Sequence, residues 1–131
     1  MKKRGVLNAE LSQVIASMGH KDCLTVCDSG LPIPISLHRV DLAVSEGVPS
    51  FIEVVSAIAE ELEVEKIILA EELRKSSPSI IKSVEDLFDS TEIEFIPHES
   101  FKKLSDESKA IVRSGETTPY ANIILISGVI F

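Results

Sequence analysis

"SFIEVVSAIAEELEVEKIILA", residues 50 to 70, holds a helix and a strand in one line, and the change of period between them decides the fold. Ser50 and Glu53 stand at the spacing where a serine hydroxyl accepts from the third helical N–H and the glutamate returns to the cap. Phe51, Val54, Val55, Ile58 and Leu62 then recur along one helical face. After Glu63 to Glu65 the pattern becomes "KIILA", apolar on both faces, which predicts a strand inside a sheet.

The same alternation extends in both directions. Toward the amino terminus, Asn8 caps a helix carrying Leu11, Val14, Ile15 and Met18, and Gly19 ends it. "CLTVC" (23–27) reads as a short buried strand and "DSGLPIP" (28–34) as a rigid loop, since its glycine and prolines continue no regular element. A brief strand falls within His38 to Val44, and Gly47 and Pro49 break the chain before Ser50. Toward the carboxyl terminus, Ser77-Pro78 opens a helix with Ile80, Ile81, Val84, Leu87 and Phe88 facing inward. "IEFI" (93–96) is a strand, "ESFKKLSDESK" (99–109) a short helix, "AIVR" (110–113) a strand, and "NIILISGVIF" (122–131) the last strand. This order predicts one α/β domain over residues 1–131, a three-layer, Rossmann-like sandwich with a largely parallel sheet covered by helices on both faces.

Composition excludes several classes of function. With 131 residues, 44% of them hydrophobic, the chain is long enough to bury a core, and no apolar run reaches the roughly 18 residues that cross a membrane. "MKKRGVLNAELSQ" at the start lacks the apolar stretch of a secretory signal, so a cytoplasmic location is expected. A net charge of −8, with 13 scattered basic residues, repels phosphate backbones and argues against nucleic acid. Cys23 and Cys27 lie four apart without a second pair of thiols, which is not a zinc pattern; buried free thiols in a reducing compartment are expected. None of the six glycines builds a dinucleotide or triphosphate loop. No serine stands in a nucleophile elbow and no histidine pair has metalloprotease spacing. No cofactor and no metal site are expected.

Polar groups at strand ends remain. "GHKD" (19–22), "CDSGLPIP" (27–34), "PHESFK" (97–102) and "TPYAN" (118–122) supply His20, Asp28, His98, Lys102, Tyr120 and Asn122, a hydrogen-bonding set suited to a polyhydroxylated molecule. Each also has a structural reading. His20 follows a helix C-terminus, where a cation meets the dipole; Asp28 suits the turn that Ser-Gly forms; Tyr120 suits a packed aromatic. His38 is read as structural, and "AEELEVEK" as a solvated helix end.

The blocks "MKKRGVLNAELSQVIASMGHKD", "DSGLPIP", "AEELEVEK", "IPHESFKKL" and "IVRSGETTPYANIILISGVIF" together resemble the D-ribose pyranase family, sugar mutarotases related to the fucose mutarotases. The likeness runs end to end and rests on several blocks in order and spacing. It implies cofactor-free conversion of β-D-ribopyranose to β-D-ribofuranose, which supplies the furanose to ribokinase. It further implies that His20 is the proton donor and that Asp28, His98, Tyr120, Ala121 and Asn122 hold the sugar, with Lys102 a lesser candidate. Ring opening needs a proton removed from the anomeric hydroxyl and another delivered to the ring oxygen, and an imidazole titrating near pH 6.5 moves protons either way. Asp28, Tyr120 and an ordered water are the candidates for the base.

His20 precedes the strand "CLTVC" and Asp28 follows it, so five extended residues separate them by roughly 17 Å. The site is therefore expected between subunits of a homo-oligomer, with His20 facing a neighbour's Asp28, His98 and Tyr120. The apolar C-terminal strand is expected to be covered at such a contact. Family resemblance implies a decamer of stacked pentameric rings. Two other readings use the same residues: a non-catalytic sugar-binding accessory of a ribose transporter, and a fucose-type mutarotase.

Overall fold

The computed structural model describes residues 1–131. In chain order it contains α1 (Ala9–Ala16), β1 (Cys23–Cys27), β2 (Arg39–Asp41), α2 (Phe51–Ala59), β3 (Val64–Ala70), α3 (Leu73–Ser76), α4 (Pro78–Leu87), β4 (Glu92–Ile96), α5 (His98–Ser105), β5 (Ala110–Arg113) and β6 (Ile123–Ser127). Helix starts follow their caps. Asn8 accepts from the Leu11 N–H, Ser50 and Glu53 close the capping box of α2, and Ser77 precedes Pro78 at the head of α4. Removing a cap such as Ser50 typically costs about 1 kcal/mol.

The six strands form one sheet in the order β2-β5-β1-β6-β3-β4. Pairs β2/β5, β5/β1 and β3/β4 are parallel, whereas β6 runs antiparallel to both of its neighbours, β1 and β3. This α/β sheet is largely parallel, as expected. Its direction change has a simple cause. The segment Ser114 to Asn122 crosses the end of β1 and is too short to return along the sheet, so β6 must run back the other way.

One face of the sheet buries Leu24, Val26, Ile67, Leu69, Ile123 and Leu125 against the apolar sides of α1, α2 and α4. Phe51 and Ile58, both fully buried, contribute roughly 1.5–3 kcal/mol each by transfer from water. The other face is more thinly covered. Phe101 and Leu104 of α5 pack on Ile68 and Ile124, while Leu31, Ile33 and Leu37 of the loop after β1 cover Cys27 and Ile111.

Several boundaries depart from the sequence expectation. The final strand stops at Ser127, so Gly128 to Phe131 lie beyond the sheet, and Ile130 and Phe131 are exposed. The strand itself occupies the sheet's interior and is buried within its own chain, so its burial needs no subunit contact; only the short apolar tail stays uncovered. Helix α5 ends at Ser105 instead of Lys109, and β2 has only three residues. Helix α3, four residues long, was too short to show a period. Both cysteines are free, but only Cys27 is buried; Cys23 is half-exposed. No helix is long and apolar enough to cross a membrane.

Candidate active site

The carboxyl ends of β1, β4 and β5 and the amino end of β6 meet at one edge of the molecule, the region where α/β sheets place ligands. A cleft of about 340 Å³ opens there, lined by Asp28, Gly30, His98, Glu116, Thr118 and Tyr120 among others. Its floor is a polar pair. The Asn122 Oδ1 accepts the Asp28 N–H at 2.9 Å and the Asn122 amide donates to Asp28 Oδ2 at 3.2 Å, while Asp28 Oδ1 accepts from the Gly30 N–H at 2.9 Å. Asn122 is buried, so its role toward a ligand passes through Asp28, whose carboxylate is fixed yet retains lone pairs. Asp28 thus caps its own turn and faces the cleft at the same time.

His98 begins α5, and its backbone N–H is held by both carboxylate oxygens of Glu72 at 3.2 and 3.0 Å. The ring stacks over Phe101 and meets Tyr120 edge to face at 5.0 Å. Its Nδ1 is buried without any partner. A bare lone pair costs less there than an unpaired N–H, which favours the proton of a neutral ring on Nε2. Tyr120 has a positive φ of 67°, a left-handed turn that carries its ring over the cleft. Ser76 of α3 ties this loop down by donating to the Pro119 carbonyl at 2.7 Å. Ala121 is fully buried and its N–H points to the Thr118 carbonyl, so within the chain its methyl belongs to the core.

Glu116 organises the remaining wall and was not singled out in the sequence. One carboxylate oxygen accepts the Phe51 N–H at the head of α2, and the other accepts from the Thr118 hydroxyl at 2.9 Å. Burial pushes its pKa up, but these hydrogen bonds outweigh burial and hold it below the usual carboxylate range. Glu72 escapes a sequence reading for the same reason as Glu116: each holds a backbone N–H from a distant part of the chain, that of His98 and of Phe51 respectively.

Two of the sequence candidates stand elsewhere. Lys102 pairs with Glu99 at 2.8 Å and lines an adjoining depression that shares Pro32 with the cleft. His20 sits at the opposite end of the sheet. The next residue, Lys21, donates its N–H to the Ser127 carbonyl where β6 ends, whereas Asn122 stands where β6 begins. The His20 ring is half-exposed and pairs with Glu65 at 2.9 Å. His38 pairs with Glu10 at 2.6 Å, a surface contact. No group of three or more His, Cys, Asp or Glu side chains is arranged to hold a metal ion.

A fixed carboxylate, an imidazole and an unpartnered phenol around an open polar cleft make a site suited to a small hydroxylated ligand at the end of an α/β sheet. Residues 1–130 match the model of the RbsD / FucU transport protein family, and the chain belongs to that family. It is 51% identical over 139 residues to the curated D-ribose pyranase of Glaesserella parasuis, covering all of both chains. The structure of Bacillus subtilis RbsD complexed with D-ribose superposes with a TM-score of 0.96 at 44% identity, again over 100% of each chain. The fucose mutarotase of Streptococcus pneumoniae in complex with L-fucose is more distant: a TM-score of 0.78 at 25% identity over 95% of each chain.

Proposed function

We propose that the protein is a D-ribose pyranase, a mutarotase that interconverts β-D-ribopyranose and β-D-ribofuranose without a cofactor. The cleft carries this reading: Asp28 held by Asn122, with His98 and Tyr120 above it, in a chain alike over its full length to curated D-ribose pyranases. Asp28, the His98 Nε2–H and the Tyr120 hydroxyl bind the sugar hydroxyls. Ala121 contributes main-chain contact, and Lys102 closes the side toward Pro32. His20 delivers the proton to the ring oxygen, and reclosure through a different hydroxyl gives the furanose. General acid and base transfer of this kind is typically worth 10²–10⁴-fold.

Because His20 stands at the far end of its own sheet, the acid comes from a second copy of the chain; the resemblance to the D-ribose pyranases implies a cytoplasmic homodecamer as the working form. The uncovered Val129, Ile130 and Phe131 lie beside the His20 end of the sheet and suit such a contact. Saturation-transfer NMR on D-ribose tests the reaction. Pyranose to furanose exchange should rise with the protein and return to the uncatalysed rate with His20→Ala. Binding of ribose without faster exchange would instead favour a sugar-binding accessory of a transporter. Greater exchange on L-fucose than on ribose would favour a fucose-type enzyme.

A further inference from the structure

Glu65 is skipped in the middle of the ladder between β3 and β6. Val64 faces Ser127 and Lys66 faces Ile126, so Glu65 is an extra residue between consecutive pairs, a β-bulge. Regular alternation would put Glu65 on the side of Ile67 and Leu69, facing the apolar core, where an unpaired carboxylate is costly. The bulge gives that place to Val64 and turns Glu65 out to the strand end. The following segment leaves room for it. A Cβ at Gly128 would come within 3.2 Å of the Glu65 Cβ, and the Gly128 N–H is fixed on the Glu63 carbonyl at 2.9 Å.

Turned outward, the carboxylate takes two partners. Oε2 meets His20 Nε2 at 2.9 Å, and Oε1 takes the Lys21 ammonium. Lys21 has a left-handed φ of 72° between the His20 and β1 positions. The neighbouring Asp22 is engaged elsewhere, with the Gly19 N–H and with Lys109. We propose that Glu65 is the positioning residue of His20: it accepts the Nε2–H, fixes the ring, and leaves Nδ1 to give the proton of the imidazolium form to the ring oxygen as the ring opens and to take one back from the attacking hydroxyl as it recloses.

A carboxylate accepts and does not donate, so only the tautomer with hydrogen on Nε2 completes the pair. Lys21 on the other oxygen offsets the negative charge, so what Glu65 supplies is orientation and tautomer more than charge. The Glu65 carboxyl itself is held below the ordinary range, by Lys21 first and by His20 second, and is therefore ionised at neutral pH. The catalytic consequence rests on His20 being the acid, as proposed above.

The test reads the ring directly. Long-range ¹H–¹⁵N spectra of the whole protein, assigned with His38→Gln and His98→Gln, should show His20 as the Nε2–H tautomer. In Glu65→Gln, Lys21 retains the amide oxygen and the NH₂ faces the ring, so the tautomer should switch to Nδ1–H. Ribose exchange at saturation should fall roughly tenfold to a hundredfold, the range of an outer partner, with ribose affinity nearly unchanged. Adding Lys21→Met frees the amide to turn its oxygen to His20, and should restore the Nε2–H tautomer and part of the rate. A ring unaffected by Glu65→Gln, or a switched ring with wild-type exchange, overturns the proposal. Wild-type exchange in His20→Ala would instead remove the catalytic reading itself, while the spectra would still report whether Glu65 sets the ring.

Discussion

Asn122 grips Asp28 from two sides, main chain and carboxylate, and so joins segments 94 residues apart in the chain at the floor of the cleft. Nothing else ties the start of β6 to the turn after β1 through side chains. The polar loop of the binding site and the central strand of the sheet therefore share one anchor.

Substituting that anchor should be felt in both stability and binding. Asn122→Ala leaves a backbone N–H and a carboxylate oxygen without their partner, at a cost of about 1–3 kcal/mol. Urea unfolding should show that loss, and titration with ribose should show weaker binding. Asn122→Asp, which sets a second carboxylate against Asp28, should be worse in both; a variant equal to wild type would remove the pair from the account.

Glu116 links the cleft wall to the head of α2, and its depressed pKa fixes the sign of a pH effect. Because the folded value is lowered, its contribution is present above the ordinary glutamate value, about 4.3, and is lost as pH falls through the folded value. Unfolding midpoints measured from pH 7 to pH 3 should fall less steeply in Glu116→Gln than in wild type over that acid window. Parallel curves would show that the carboxylate carries no such linkage.

The two thiols should differ in reactivity. Burial raises the Cys27 pKa to about 12, leaving roughly one thiolate in ten thousand at pH 8. Cys23, also raised by burial first and by Glu107 next, is half-exposed. Iodoacetamide followed by mass spectrometry of the native protein should label Cys23 first and Cys27 only on unfolding. Equal rates would mean that the loop over Cys27, with Leu31 and Leu37, opens readily.

Removing Val129 to Phe131 separates folding from assembly. These residues lie beyond β6 and do not belong to the core, so circular dichroism should be unchanged. Sedimentation should report smaller species, and ribose exchange should fall with them. Loss of the fold, or full assembly without the tail, would contradict the role given to it.

Much of this fold is legible because its signals are local. Ser50 and Glu53 announce α2, Ser77-Pro78 announces α4, and the apolar run at residues 67–70 reads as interior strand because both of its faces are covered. The direction of β6 is not legible, since a strand buried on both faces has the same pattern read either way. Only the short crossing from Arg113 to Ile123 decides it. The cleft residues Asp28, His98 and Tyr120 stand where strands end, and this made them readable as a group. Glu65, Glu72 and Glu116 are different. Their importance comes from a bulge and from backbone N–H groups distant in the chain, which leave no mark on spacing.

The most direct measurement concerns where the acid comes from. His20→Ala and Asp28→Ala chains, each inactive alone, should regain exchange of D-ribose when reassembled together, to roughly a quarter of the wild-type rate per chain if copies mix at random. Verified mixed assemblies with no recovered exchange would contradict a site completed between copies.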